Sequence, residues 1–372
     1  MFFVFIAIVL FPELLSKKTV LALLVYTAAV FLVYLRGNSY YDSIAKVIVP
    51  SMQMLSALII TEYTFKFDLN YKYTKTVLLT VLITNMIMIV ISIPQLLINP
   101  NIIRGANTFG IDDNEKMVYY WIISYETIHG LPFIFAPLIL FCRKFYHKKK
   151  KFLFYAFVIF MLLFIVYKSN ATTPLVLSLI MIIVGFTFNF KKLDTKSVLK
   201  ILFFTFLSVF ILSSNIMVPI LTFSQEVLDP GSSNYKKIQE IKDSYTYGDA
   251  DGDLELRQGL YTQSKELFFD EPLLGTSRSE LISMHTWIWD QLACMGIIFF
   301  STFVILFVIH VKAVSKSMNY SKIMYLCSIA SLVGMLFYKN SFGSGTWLYG
   351  FAILPVLCRY IDHELYSYCA MK

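Results

Sequence analysis

Long apolar runs parted by short polar ones fill most of this chain. They occupy roughly 2–15, 20–35, 48–63, 76–99, 117–142, 152–167, 174–190, 199–222, 286–309, 323–338 and 345–360. Several reach the ~20 residues that an α-helix needs to cross a hydrocarbon core, and several are shorter. The pattern predicts an all-α, polytopic integral membrane protein with about 11 (10–12) transmembrane helices, built as a single domain over 1–372. One polar stretch interrupts it late in the chain, from 223 to 285. Its length of about 60 residues exceeds an ordinary connection, and loops of that size usually carry function. Within it, Leu254 to Phe269 predicts an amphipathic helix. Arg257, Tyr261 and Lys265 recur every four residues on one face, and Leu256, Leu260 and Leu267 lie toward another. Such a helix could rest on a headgroup layer.

Composition agrees with the pattern. The chain is 57% hydrophobic and only 15% charged, against about 25% charged in a soluble domain. So few charges cannot cover a water-facing surface. The formal charge of +8 is not a nucleic-acid signal, because the lysines cluster in short segments at 66–75, 143–152, 191–200 and 312–322. Positive-inside bias and anionic headgroups account for such clusters. Orientation follows. The segments 101–116, 168–173, 223–284 and 339–346 are expected outside, and the C-terminal tail is expected to be cytoplasmic. Cys142, Cys294, Cys327, Cys358 and Cys369 lie in apolar runs or toward the inner side, which predicts no disulfide framework. The N-terminal MFFVFIAIVLF has no basic n-region and no small-residue cleavage site, so no cleavable signal is expected.

Arg257 and His285 lead the candidate chemistry. A guanidinium offers a fixed fork of donors suited to diphosphate oxygens. An imidazole can take a proton from a sugar hydroxyl near neutral pH. Spacing alone also fits an arginine snorkelling to headgroups and a histidine flanking a helix in solvent. Other cations fall on the expected outer side: Lys168, Arg104, Arg278 and Lys339. Facing one cavity, they would bind phosphate and neutralise a leaving group; otherwise they are incidental solvated charge. Glu126 and His129 share one face of the 117–142 run, as a proton relay would, or as two groups hydrogen-bonded near the outer interface. Asp249, Asp251 and Asp253 begin like a calcium loop. Leu254 and Leu260 then stand where its glycine and bidentate glutamate belong, so an acidic hinge is expected instead. The sequence has no Walker loop, dinucleotide fingerprint, zinc pattern or G-x-S-x-G elbow. No cofactor and no metal are expected.

The order of motifs resembles a known family. Arg257 is followed by Phe269-Asp270-Glu271-Pro272-Leu273-Leu274-Gly275, then His285-Thr286-Trp287, then Cys294-Met295-Gly296. This is similar to the C-terminal core of the O-antigen polymerase and O-antigen ligase superfamily, the Wzy-like proteins, over about forty residues. The resemblance implies a multi-pass glycosyltransferase of the bacterial cytoplasmic (inner) membrane. It would polymerise undecaprenyl-diphosphate-linked oligosaccharide units into O-antigen, capsule or exopolysaccharide at the outer face. Lipid-linked donor and acceptor and membrane lipids would be its partners, with a chain-length regulator and a flippase of the same pathway, and no nucleic acid. By this resemblance Arg257 would hold the donor diphosphate and His285 would activate or orient the acceptor hydroxyl. The family's further arginine, in a Ser-Arg-like motif, is replaced here by Lys168 in Lys168-Ser169-Asn170. Lysine gives a point charge rather than a fork. Arg104 and Arg278 would add substrate-binding charge. Tyr261, Trp287 and Trp289 could stack on sugar rings or simply anchor the interface.

Two alternatives remain at this level. A ligase would move finished glycan from the same lipid to another acceptor. A transporter, either a small-solute carrier or a lipid-linked oligosaccharide flippase, would rest on Glu126 and His129. No internal repeat of the kind carriers often show is visible.

Overall fold

The computed structural model describes residues 13, 15–68, 71–98, 123–146, 148–169, 171–187, 253–338 and 343–370, with scattered positions between 222 and 243. All regular structure among these residues is helical. The helices are α1 (Lys17–Leu35), α2 (Ile44–Lys66), α3 (Lys72–Ile98), α4 (Tyr125–Gly130), α5 (Pro132–Lys144), α6 (Lys149–Lys168), α7 (Thr172–Thr187), α8 (Asp253–Asp270), α9 (Trp287–Lys316), α10 (Lys322–Tyr338), α11 (Ser344–Leu348) and α12 (Leu354–Ala370). Helices α1, α2, α3, α6 and α9 are long and apolar enough to cross a membrane. The expected spans at 2–15 and 199–222 lie almost wholly outside the described residues, and Arg104 and Lys339 lie outside them.

Local sequence sets the helix ends. Ser16 caps α1 by accepting the Thr19 N–H at 3.1 Å. Gly37 follows the same helix at φ +75°, the left-handed position that a C-terminal glycine supplies without strain. Three expected spans depart from single straight helices. The 117–142 run is divided into α4 and α5 at Leu131 and Pro132, where the proline ring has no N–H to continue the ladder. The 345–360 run becomes α11, a π turn over Tyr349–Ile353, and α12. The 286–309 run extends to Lys316 but is broken inside. Gly296, at φ 64° and ψ 175°, interrupts a helix that then continues.

Packing forms two adjoining cores. The first joins α1, α2, α8 and α9; the second joins α3, α4, α5 and α6, and α10 and the Tyr349–Ile353 turn contribute to both. Helix α5 lies at the centre, with every residue from Pro132 to Cys142 buried. A helix apolar on every side belongs in a protein core or in a membrane. The outward faces of the other long helices are apolar and exposed, as at Leu24, Ile87, Phe157 and Ile305. Patches this extensive are unfavourable against water, and they are compatible with a membrane surround.

Contacts also sort the helix ends into two groups. At one end Asp362 accepts the N–H groups of Asn319 and Ser321, both at 2.7 Å. There Lys144 meets Glu364 at 3.6 Å and the Arg359 guanidinium meets the Asp68 carbonyl at 3.4 Å. Three lysine-bearing segments thus converge on α12. At the opposite end the chain after α1 meets the segment before α9, and Glu126 meets Gly345.

Candidate active site

The Pro272–Gly275 turn and the break at Gly296 form one interlocked device. With the helix interrupted, the N–H groups of Ile297 and Ile298 turn outward. They donate to the carbonyls of Pro272 at 2.8 Å and Leu273 at 3.2 Å. In return the Thr276 N–H donates to the Ala293 carbonyl at 2.7 Å. The backbones approach so closely that a Cβ on Gly275 would sit 2.3 Å from the Cys294 carbonyl oxygen. The two motifs that the sequence presents twenty residues apart are therefore the two halves of a single joint.

Asp290 organises what lies between them. It sits in the first turn of α9, fully buried. Its carboxylate accepts from the Ser264 hydroxyl at 2.6 Å, the Ser283 hydroxyl at 3.0 Å and the Thr286 N–H at 3.0 Å. The last contact is the back-reaching half of a capping box, made one residue later than usual. The Ser283 N–H donates to Ser264 Oγ at 3.0 Å. The segment before α9 is thus fastened to α8. Met284 adopts φ +56°, a conformation unusual for a side chain of its size. His285 follows it, exposed, with its N–H 3.4 Å from Ser283 Oγ.

A second layer comes from the chain after α1. The Arg36 guanidinium donates to the carbonyls of Leu274 and, at 3.3 Å, Gly275. Asn38 donates to the Cys294 carbonyl at 3.4 Å and accepts from the Cys294 thiol at 3.3 Å. The Tyr41 hydroxyl donates to Gln291 Oε1 at 2.7 Å. Burial pushes the Tyr41 phenol well above its ordinary pKa, so it stays a neutral donor. Beside this layer opens a cavity of about 610 Å³. Its lining includes Tyr26, Tyr41, Trp287, Trp347, Glu126 and Gln291, and Met284, the neighbour of His285.

The expected residues fall as follows. The helix that carries Arg257 and Tyr261 is present as α8, with its apolar and polar residues spread round it rather than sorted onto two faces; the side chains of those two residues lie outside the described residues. Arg257 precedes Ser264 by two turns, about 10 Å along the axis. Lys265 is exposed, its ammonium 5.8 Å from the Trp289 ring centre. Arg278 is 47% exposed and pairs with Asp270 at 2.6 Å. That hydrogen bond raises its pKa above the ordinary arginine value. Lys168 ends α6, in the second core, where its ammonium lies 5.7 Å from the Tyr167 ring centre. The main packing partners of α6 are α3, α5 and α7 rather than α8 or α9. His129 is buried with Nδ1 3.0 Å from the Tyr125 carbonyl, while Glu126 reaches Gly345. Among the described residues, no three His, Cys, Asp or Glu side chains group as metal ligands would.

Sequence reading missed Arg36, Asn38, Ser264 and Asp290. Only Asp290 carried a signal, as a carboxylate at the start of a long apolar run. No family model, no curated protein and no solved structure matches this chain.

Proposed function

We propose that this chain is an integral membrane glycosyltransferase that polymerises glycan units carried on undecaprenyl diphosphate. In this reading it has about eleven spans, and the α12 end of the bundle faces the cytoplasm. The end with His285 faces out. The observation that carries the proposal is the Ser264–Ser283–Asp290 link. It ties the helix bearing Arg257 to the turn bearing His285, beside an aromatic cavity. The Arg257 to Gly296 resemblance supplies the reaction class.

The chemistry is a substitution at the anomeric carbon of the donor. The acceptor hydroxyl oxygen attacks that carbon as its proton passes to the His285 imidazole. The bond from the anomeric carbon to the phosphate oxygen breaks, and the electron pair leaves with the lipid diphosphate. Arg257 would neutralise the growing charge on that leaving group. An exposed imidazole can then return its proton to water. The donor carries its own activation, so the step needs no nucleotide.

The test is genetic and biochemical. Arg257→Ala and His285→Ala should leave the protein inserted while cells accumulate single, unjoined repeat units on lipid. Normal polymer length in both variants would remove the proposal. Long lipid-linked polymer accumulating in cells lacking the chain would assign it to ligation instead.

A further inference from the structure

We infer that the cavity lined by Met284, next in the chain to His285, is a saccharide-binding site with Glu126 as its carboxylate, and that it takes the terminal sugars of the acceptor glycan. The inference rests on the glycan-joining reading above and adds a ligand class and a residue to it. Its volume of about 610 Å³ falls in the ordinary range for small-molecule sites, roughly 300–1,000 Å³. Its walls are aromatic. Tyr40 and Tyr125 are half-buried at its lining, and the Trp287 and Trp347 side chains sit deeper. Besides the tyrosine hydroxyls, its polar groups are Glu126, Gln291 and, at Lys46, an ammonium held by Asp42 at 2.8 Å.

That lining discriminates between occupants. A sugar ring has an apolar C–H face and a rim of hydroxyls. Aromatic faces suit the first, and carboxylate and amide oxygens accept from the second. A diphosphate would meet the like charge of Glu126. A polyprenyl chain would cover Glu126 and Gln291 without offering either a hydrogen bond. The carboxylate is also specifically accommodated. Gly343 lies so close that a Cβ there would fall 2.0 Å from Glu126 Cδ, and the Gly345 N–H donates to Glu126 Oε2 at 3.3 Å. Gly343 thus leaves room for this acid at the cavity wall, and Gly345 lets the two backbones approach. Ser124 fixes its turn by accepting the Thr127 N–H at 3.1 Å.

The test uses the full chain in lipid nanodiscs. The probe is the repeat-unit oligosaccharide released by mild acid from lipid in cells lacking the chain. Binding is read by tryptophan fluorescence, since Trp287 and Trp347 line the cavity. Wild type should bind saturably, and Glu126→Gln should weaken binding roughly ten- to a hundredfold. Tyr40→Leu, on a different element, should weaken it too, and carries the test alone if Glu126→Gln fails to insert. No binding by wild type, or wild-type binding in both variants, overturns the assignment. Polymer length in the deletion strain separates the two levels. Polymer lost on deletion, together with unchanged binding in both variants, removes this site and keeps the enzyme. Normal polymer on deletion removes the enzyme reading itself.

Discussion

Gly275 and Gly296 meet backbone to backbone: a Cβ on Gly296 would lie 2.4 Å from the Gly275 nitrogen. Gly296 also holds a backbone conformation that is essentially restricted to glycine. Gly296→Ala should therefore destabilise the protein by about 3 kcal/mol or more, through strain and through displacement of the Pro272–Gly275 turn. Gly334→Ala is the matched control, since no heavy atom lies within 4 Å of the added methyl. Thermal unfolding in detergent should show a lowered midpoint for the first and an unchanged or raised one for the second. Equal midpoints would mean that the joint does not hold the fold.

Among the cations expected on the outer side, Arg278 has the clearest described partner. Its guanidinium meets Asp270, and both side chains are about half exposed. Exposed pairs contribute little to stability, and salt screens them. Arg278→Ala and Asp270→Ala should each leave melting nearly unchanged. If the pair acts only on itself, both variants also polymerise glycan alike. A loss of polymer in Arg278→Ala that Asp270→Ala does not share would instead give Arg278 a role toward the donor phosphate.

Much of the architecture was legible in the sequence because apolar run length is a physical requirement as well as a pattern. The runs at 20–35, 76–99 and 152–167 became α1, α3 and α6 with ends moved by a few residues. The helix expected over Leu254 to Phe269 is α8, although its apolar residues are not gathered on one face. What the pattern hid were the interruptions. Hydropathy does not register the left-handed φ of Gly296 or the π turn at Tyr349–Ile353, because apolar side chains continue through both. The site was legible as motifs but not as contacts. Pro272-Leu273-Leu274-Gly275 and Cys294-Met295-Gly296 read as separate signals, and only folding shows them as partners. Arg36 and Asn38 were invisible for another reason: their partners are carbonyls about 240 residues away, set by tertiary packing alone.

At the opposite end of the bundle, Asp68 gives a pH dependence with a definite sign. Burial pushes its carboxyl up. Hydrogen bonds from the Thr74 hydroxyl and N–H and the Tyr73 N–H, with Arg359 nearby, outweigh that and hold it below its ordinary range. A carboxyl lowered on folding contributes stability above its unfolded pKa and loses it as pH falls through the folded value. Melting midpoints should thus fall as the buffer is taken from neutral to strongly acidic. Asp68→Asn should start lower at neutral pH and flatten that acid slope. An equally steep slope in the variant would assign the acid sensitivity to other carboxylates.

In the proposed reaction Asp290 positions His285, and that role can be separated from simple stability. It fixes Ser283 and Thr286, which flank the Met284–His285 turn. Asp290→Asn keeps the shape but exchanges one acceptor oxygen for a donor that opposes a neighbouring hydroxyl or N–H. The loss of a charge-assisted hydrogen bond should cost about 1.5–3 kcal/mol, spread between folding and the placement of His285. Polymerising activity should drop roughly tenfold or more in protein that is still inserted. The double variant with His285→Ala decides the mechanism. If Asp290 acts through the imidazole, adding Asp290→Asn to His285→Ala costs no further activity, because effects of residues working as a unit do not add. A further tenfold loss in the double variant would show that Asp290 supports the reaction by another route, such as holding α8 and Arg257 in place through Ser264.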